Sequence, residues 1–298
     1  MSFQNWVLLF FLSTLWGVSF VFIEMALPVF EPFTIVFLRA SIGGLILLAF
    51  MKMRGASFPR GIKVWFDYAV MAALIVVIPY SLITWAQTYV TASMASILNA
   101  MTPIFTVIVA HFTTKDERLT GLKVFGTIAG FIGVTLLMLP NLEGGFRIEG
   151  LSPLAVILAT IAYAFANVWG KRLSAYKAEV NSTAILLISG GMLLIPGVVA
   201  GAGTSFNDIG IAPIFAILGI GVLSTGLAYI IYFKILAEAG ATNIVLVTFL
   251  IPVSAVMLGV IYLGEKLYAH HFYAVLCIFI GLIAIDGRLL RRLRVARS

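Results

Sequence analysis

Charge is what this sequence has least of. Only 10% of its 298 residues are Asp, Glu, Lys or Arg, against 62% hydrophobic residues, whereas a soluble domain carries about a quarter charged residues. A chain this apolar cannot cover a water-facing surface, so a soluble fold is excluded and lipid is the solvent. Cysteine is nearly absent. The single Cys277 rules out an intramolecular disulfide framework and, inside an apolar run, reads as a small buried or lipid-facing hydrophobe. Histidine is scarce, and His111, His270 and His271 all fall at the ends of apolar runs. No metal site is expected from them. There is no Walker A loop, which excludes an internal ATP-driven pump, and no HExxH zinc motif. Gly17-Val18-Ser19 looks like a serine-nucleophile turn by letters only, because no intramembrane histidine is available as its base. Neither a catalytic cluster nor a cofactor is expected.

Long hydrophobic runs are what the sequence has in abundance. Crossing ~30 Å of hydrocarbon takes about 20 residues at 1.5 Å per residue. Ten runs fit that length: 6–26, 32–51, 66–87, 92–112, 121–139, 151–170, 182–201, 213–233, 242–263 and 271–287. Pro, Gly and charged residues punctuate most boundaries. The first run lacks a basic leader and is long enough to span, so it reads as a helix and not as a cleaved signal. The fold class is therefore all-α integral membrane, with ten transmembrane helices.

The net charge of +7 is distributed in a telling way. With the N-terminus inside, sixteen Lys and Arg lie in inner loops and the tail, five of them Arg288, Arg291, Arg292, Arg294 and Arg297. The outer loops hold only Arg147 and Lys266. The positive-inside rule then puts both termini in the cytoplasm, in the plasma (inner) membrane. Basic residues at a membrane flank speak for lipid and against a nucleic-acid partner.

The chain also repeats. Thr91-Ala92-Ser93, Pro103, Glu117-Arg118-Leu119 and Gly133 match Gly240-Ala241-Thr242, Pro252, Glu265-Lys266-Leu267 and Gly281. Two units follow, 1–140 and 150–288, with a basic tail at 289–298. Five spans per unit is an odd number, so the second unit enters the membrane inverted, an arrangement many secondary transporters share.

Candidate site residues come from interrupted helices and polar stripes. Pro103 and Pro252 fall about 15–16 Å deep, near the middle of the bilayer. Each removes a hydrogen bond to the carbonyl four residues back, at Asn99 and Thr248. A carbonyl freed in lipid must face protein, water or ligand. Single helix faces collect Trp16 and Ser19 in span 1, Tyr80 and Thr84 in span 3, Ser96 and Asn99 in span 4, Tyr163 and Asn167 in span 6, and Tyr229 in span 8. Helix-to-helix hydrogen bonds and a solvated substrate path both explain such faces. Together with Thr248, these are the candidate substrate-binding residues around a central cavity. Glu24 and Arg39 lie at similar depth and are expected to pair, as a gate or structural ion pair. GxxxG motifs at Gly126–Gly130 and Gly197–Gly201 permit close helix approach, either within the chain or in a homodimer.

Several of these motifs occur in one family. Trp16-Gly17 with Ser19-Phe20, Phe37-Leu38-Arg39-Ala40, and Thr102-Pro103-Ile104-Phe105 followed by Glu117-Arg118-Leu119 resemble the EamA type of the drug/metabolite transporter superfamily. Ile251-Pro252-Val253 and Gly264-Glu265-Lys266-Leu267 repeat the last elements in the second half. The resemblance implies ten helices in two inverted halves, a cavity lined by spans 1–4 and 6–9, and export of small metabolites. YddG-like amino-acid exporters are the nearest kind within it. The midplane shows aromatics, hydroxyls and an Asn, with no cationic cluster of the sort a phosphorylated sugar requires. The expected partner is thus a small molecule, a neutral or aromatic amino acid. A multidrug or quaternary-amine exporter is the alternative, and a membrane enzyme or structural membrane protein is the reading from another class.

Overall fold

In the computed structural model, which describes residues 2–113, 120–142, 148–203, 210–239 and 247–286, the protein is a bundle of apolar helices. Among the described residues seven helices are long and apolar enough to cross a membrane, and three further apolar helices fill the places of spans 5, 9 and 10. Spans 1 and 2 are unbroken, Phe3–Ala26 and Pro32–Met53. Ser2 caps the first, its hydroxyl accepting from the Asn5 amide, and Pro32 opens the second, where a missing N–H costs nothing.

Spans 3 and 8 are not regular. Span 3 runs as Ile62–Ala72, a wider π segment at Ala73–Val77, and Ile78–Ala86. Span 8 runs as Ile211–Leu218, a π segment at Gly219–Leu227, and Ala228–Ala239. Pro79 explains the first, because its ring would strike the carbonyl of Ile75 in a regular α-helix. The second is rich in glycine and packs tightly on span 2. A Cβ on Gly221 would lie 2.8 Å from Ile42 side-chain atoms, and one on Gly226 would lie 2.8 Å from Ile46.

Span 4 is broken outright, into Ala92–Asn99 and Thr102–Thr113 around a turn at Ala100–Met101. Spans 5, 6 and 7 are Gly121–Leu142, Ile148–Trp169 and Ala178–Gly201. Spans 9 and 10 are Val247–Leu263 and Ala269–Asp286. The Glu117-Arg118-Leu119 and Gly240-Ala241-Thr242 motifs, Arg147 and the tail 289–298 lie outside the described residues.

The packing has an internal order. Span 2 packs on span 7 and span 5 on span 10. Span 1 packs on spans 8 and 9, and span 6 packs on spans 3 and 4. Span 2 also meets the π segment of span 8, as span 7 meets span 3. Advancing every span by five leaves this scheme unchanged.

Both GxxxG motifs are used within the chain. Gly126 faces Gly281 of span 10, Gly130 faces Ile104 and Met101 of span 4, and Gly197 and Gly201 face Phe37 and Thr34 of span 2. Lipid tails are as apolar as side chains, so close backbone approach is what holds such pairs together. With these faces occupied, the motifs give no support to a homodimer.

A Cβ on Gly281 would fall 2.5 Å from the Gly126 carbonyl oxygen, whereas one on Gly191 meets nothing within 4 Å. Overpacking of this kind costs about 1–3 kcal/mol. Gly281→Ala is therefore expected to lower the melting temperature of detergent-solubilised protein by several degrees, and Gly191→Ala to leave it no lower. Equal melting of the two variants would contradict the packing.

Candidate functional site

A cavity of about 290 Å³ lies between spans 1, 2, 3, 4, 6, 8 and 9. Its walls include Trp16, Ser19, Tyr80, Thr84, Ser96, Asn99, Tyr163, Asn167, Tyr229 and Thr248, together with Pro103 and Pro252. Every candidate substrate-binding residue of the sequence thus borders one space. Thr102 and Arg39 also line it, with Phe20, Ile23, Ile75, Ile83, Ala100 and Ile251. The last six carry no polar signal, which is why a search for polar stripes passes over them.

Several hydroxyls in and beside the wall do not reach across. Ser19 donates to the Trp16 carbonyl at 2.6 Å, Ser96 to Ser93 at 2.8 Å and Thr106 to Thr102 at 2.8 Å. A hydroxyl bonded to its own helix is satisfied without water, which mutes the polarity of the wall. Contacts between spans are fewer: Asn167 Nδ2 donates to Thr106 Oγ1 at 3.0 Å. Trp16 stands at the edge of an aromatic group, its ring centroid 6.2 Å from Tyr229 and 5.9 Å from Tyr232.

The carbonyl that Pro103 frees at Asn99 faces protein: it accepts the Thr102 hydroxyl at 2.8 Å. The unpaired group at Asn99 is instead its side-chain Oδ1, buried and without a partner. One expectation needs correction: Glu24 and Arg39 do not pair. Glu24 Oε2 accepts from the Ala92 amide at 2.7 Å, and Arg39 Nε donates to Thr225 Oγ1 at 3.1 Å. Similar depth did not place them on facing sides. The cavity wall holds one cation and no cluster among the described residues: Arg39 lines it with its guanidinium 3.9 Å from the centre of the Tyr80 ring.

The π segment of span 8 explains where Arg39 points. Thr225 donates back to the Ile220 carbonyl five residues earlier, a π-helical separation, at 2.8 Å. Gly43 leaves the gap on span 2 that Thr225 fills. The hydroxyl so placed receives Arg39.

The cavity is asymmetric in access. It shares Trp16, Ile75, Thr102, Pro103, Asn167, Tyr229 and Thr248 with a wider space of about 860 Å³. That space extends past Lys123, Leu173, Ala178 and Ile285, towards the end of the bundle that carries the start of spans 5 and 7. At the other end the chain is fastened. Helix Ala92–Asn99 begins there with amides that lack intrahelical partners. Glu24 of span 1 takes the Ala92 amide, Glu265 takes the Ser93 amide at 3.2 Å, and Thr91 takes the Met94 amide at 3.3 Å. The positive end of the helix dipole favours both carboxylates. Glu265 reaches this point because Gly264, at φ +67°, turns the chain after span 9. Gly259 gives it room, since a Cβ there would sit 2.8 Å from the Glu265 carboxylate. Gln87 adds a bond to the Phe20 carbonyl at 2.8 Å. Sequence spacing could not find this clamp, which joins residues far apart in the chain.

Comparison with known proteins agrees with this architecture. The model of the EamA-like transporter family matches the chain twice, at residues 4–139 and 151–285. The chain belongs to the EamA-like transporter family and is a multi-pass membrane transporter. It is 25% identical over 271 residues to a chloroplastic WAT1-related protein of Arabidopsis thaliana, covering 89% of this chain and 65% of that protein. It is 26% identical to an "Uncharacterized transporter" of Archaeoglobus fulgidus (89% and 92% covered). It is 25% identical to the "Uncharacterized inner membrane transporter YedA" of Escherichia coli (87% and 83% covered). A solved crystal structure superposes with a TM-score of 0.67 at 18% identity, over 97% of this chain and 99% of the other, and so shares the fold.

Hydrogen bonds to a charged group contribute about 1.5–3 kcal/mol each. Breaking one with Glu265→Ala is expected to loosen the clamped end by about tenfold in its opening equilibrium. Labelling of Ser96→Cys, in a Cys277→Ala background, by a maleimide applied from that end should accelerate accordingly. Unchanged labelling would mean the carboxylate does not hold the end shut.

Proposed function

We propose that the chain is a secondary exporter of neutral or aromatic amino acids that works by alternating access. The observation that carries this reading is the central cavity with one fastened end and one open end. Apolar and aromatic walls suit an amino-acid side chain, and the buried Asn99 Oδ1 is an acceptor for an ammonium group. A spherical quaternary amine would leave that acceptor unpaired, which favours the amino acid over the multidrug alternative.

The transport cycle in this reading is a rocking of two inverted halves, residues 1–140 and 150–288. Support comes from the double match of the family model and from packing that repeats every five spans. The positive-inside distribution supports cytoplasmic termini, so the open end faces the cytoplasm and the clamp faces out. Glu24 and Glu265 then act as an outer closure and not as a midplane proton relay. The cavity wall contains no carboxylate among the described residues, which supports facilitated movement down a substrate gradient.

Purified protein in liposomes is expected to exchange labelled phenylalanine by counterflow, saturably and with preference for one enantiomer. An imposed proton gradient should leave the rate unchanged. Trp16→Ala should raise the half-saturating concentration about tenfold, the equivalent of ~1.4 kcal/mol of lost ring contact. Transport that is non-saturable, or driven by the proton gradient, would contradict the respective part of the proposal.

A further inference from the structure

Arg39 is a buried cation without a counter-charge among the described residues. It is 8% exposed and borders the smaller cavity. Two neutral partners hold it in place: the Thr225 hydroxyl on Nε and the face of Tyr80 against the guanidinium. Among the described residues its terminal nitrogens donate to no protein acceptor, and no carboxylate pairs with it. Glu24, the acid at similar depth, is occupied by the Ala92 amide. Arg does not escape the cost by losing its proton, because a guanidinium stays protonated in proteins. A charge at this depth in a membrane protein is expensive, and residues of this kind face a cavity and mark a substrate path.

The chemistry of the missing partner follows from the donors. Nε and the ring face fix the plane of the guanidinium, and the remaining fork matches two oxygens of a planar anion. Arg39 is the sole charged residue of the smaller cavity's wall among the described residues. One cation balances one carboxylate and falls short of the two charges of a phosphate monoester.

We infer that Arg39 is the carboxylate-reading group of this transporter, so that substrates enter through their carboxylate and amines lacking one are rejected. This rests on the amino-acid reading above for the body of the substrate, but it concerns a different part of the molecule. Asn99 Oδ1 would meet the amine, and Arg39 the acid.

The test is protein-dependent counterflow in liposomes with four compounds that share a phenyl body: phenylalanine, phenylacetate, phenylalaninamide and phenethylamine. The wild-type protein is expected to favour the two acids over the two carboxylate-free amines by at least about tenfold. Arg39→Gln should erase the preference for phenylalanine over its amide, and Arg39→Lys should restore part of it. The inference is overturned if the wild type moves amide and acid alike, or if Arg39→Gln keeps the preference. Should Arg39→Gln not fold, the wild-type panel decides alone. Transport of phenylacetate without phenylalanine upholds Arg39 and removes the amino-acid reading. Transport of the amines only, or of none of the four compounds, overturns both.

Discussion

Inside a bilayer there is no water to satisfy a stray polar group, and the structure follows from that constraint. Every amide, carbonyl, hydroxyl and charge within the hydrocarbon must find its partner in the bundle or in a cavity the bundle encloses. Hydroxyls turn back onto their own helices, as at Ser13, Ser19, Ser96 and Thr106. The amides that open the span 4 helix, unpaired by definition, draw carboxylates from span 1 and from the turn after span 9. Of the buried side-chain atoms without a partner, Asn99 Oδ1 borders the cavity, whereas those of Asn5, Ser81, Gln87, Ser93, Trp169 and Ser224 lie outside its wall. Arg39, whose terminal nitrogens donate to no protein acceptor among the described residues, borders the same cavity.

That constraint also decides what was legible in the sequence. Polar stripes were legible because a face that avoids lipid must recur at three- and four-residue spacing, and Ser96, Asn99 and Thr106 do so. The nine stripe-derived candidates border the same cavity for that reason, joined by Thr248. Pro103 was legible as a disruption. Its consequence was not, because whether Thr102 would fill the freed carbonyl depends on a rotamer. The depth of Glu24 and Arg39 could be counted along the helix, but the direction each faces around its helix could not. The π segments were hidden for a related reason: one extra residue per turn leaves the composition unchanged and shifts only the register of the residues after it. Pro79 was the available sign in span 3, and the glycines of 219–226 in span 8.

The two π segments connect the fold to the site. Each lies in the third span of its half, next to the cavity. In span 8 the segment turns Thr225 onto span 2, where it holds Arg39. In span 3 it precedes Tyr80, whose ring lies under the same guanidinium. Arg39 is thus fixed from both halves of the chain, and a motion of one half against the other would act on it directly. The carboxylate clamp likewise joins the halves, because Glu265 belongs to one and the span 4 helix to the other.

The central claim is that one cavity opens alternately at its two ends. Pulsed electron–electron distance measurements on reconstituted protein test it most directly. With Cys277→Ala as background, one spin-label pair at Thr88 and Leu267 reports the clamped end, and another at Thr120 and Tyr176 reports the open end. The account predicts that adding a transported substrate lengthens the first distance and shortens the second in the same fraction of molecules. Two distributions that stay fixed, or that change independently of each other, would contradict it.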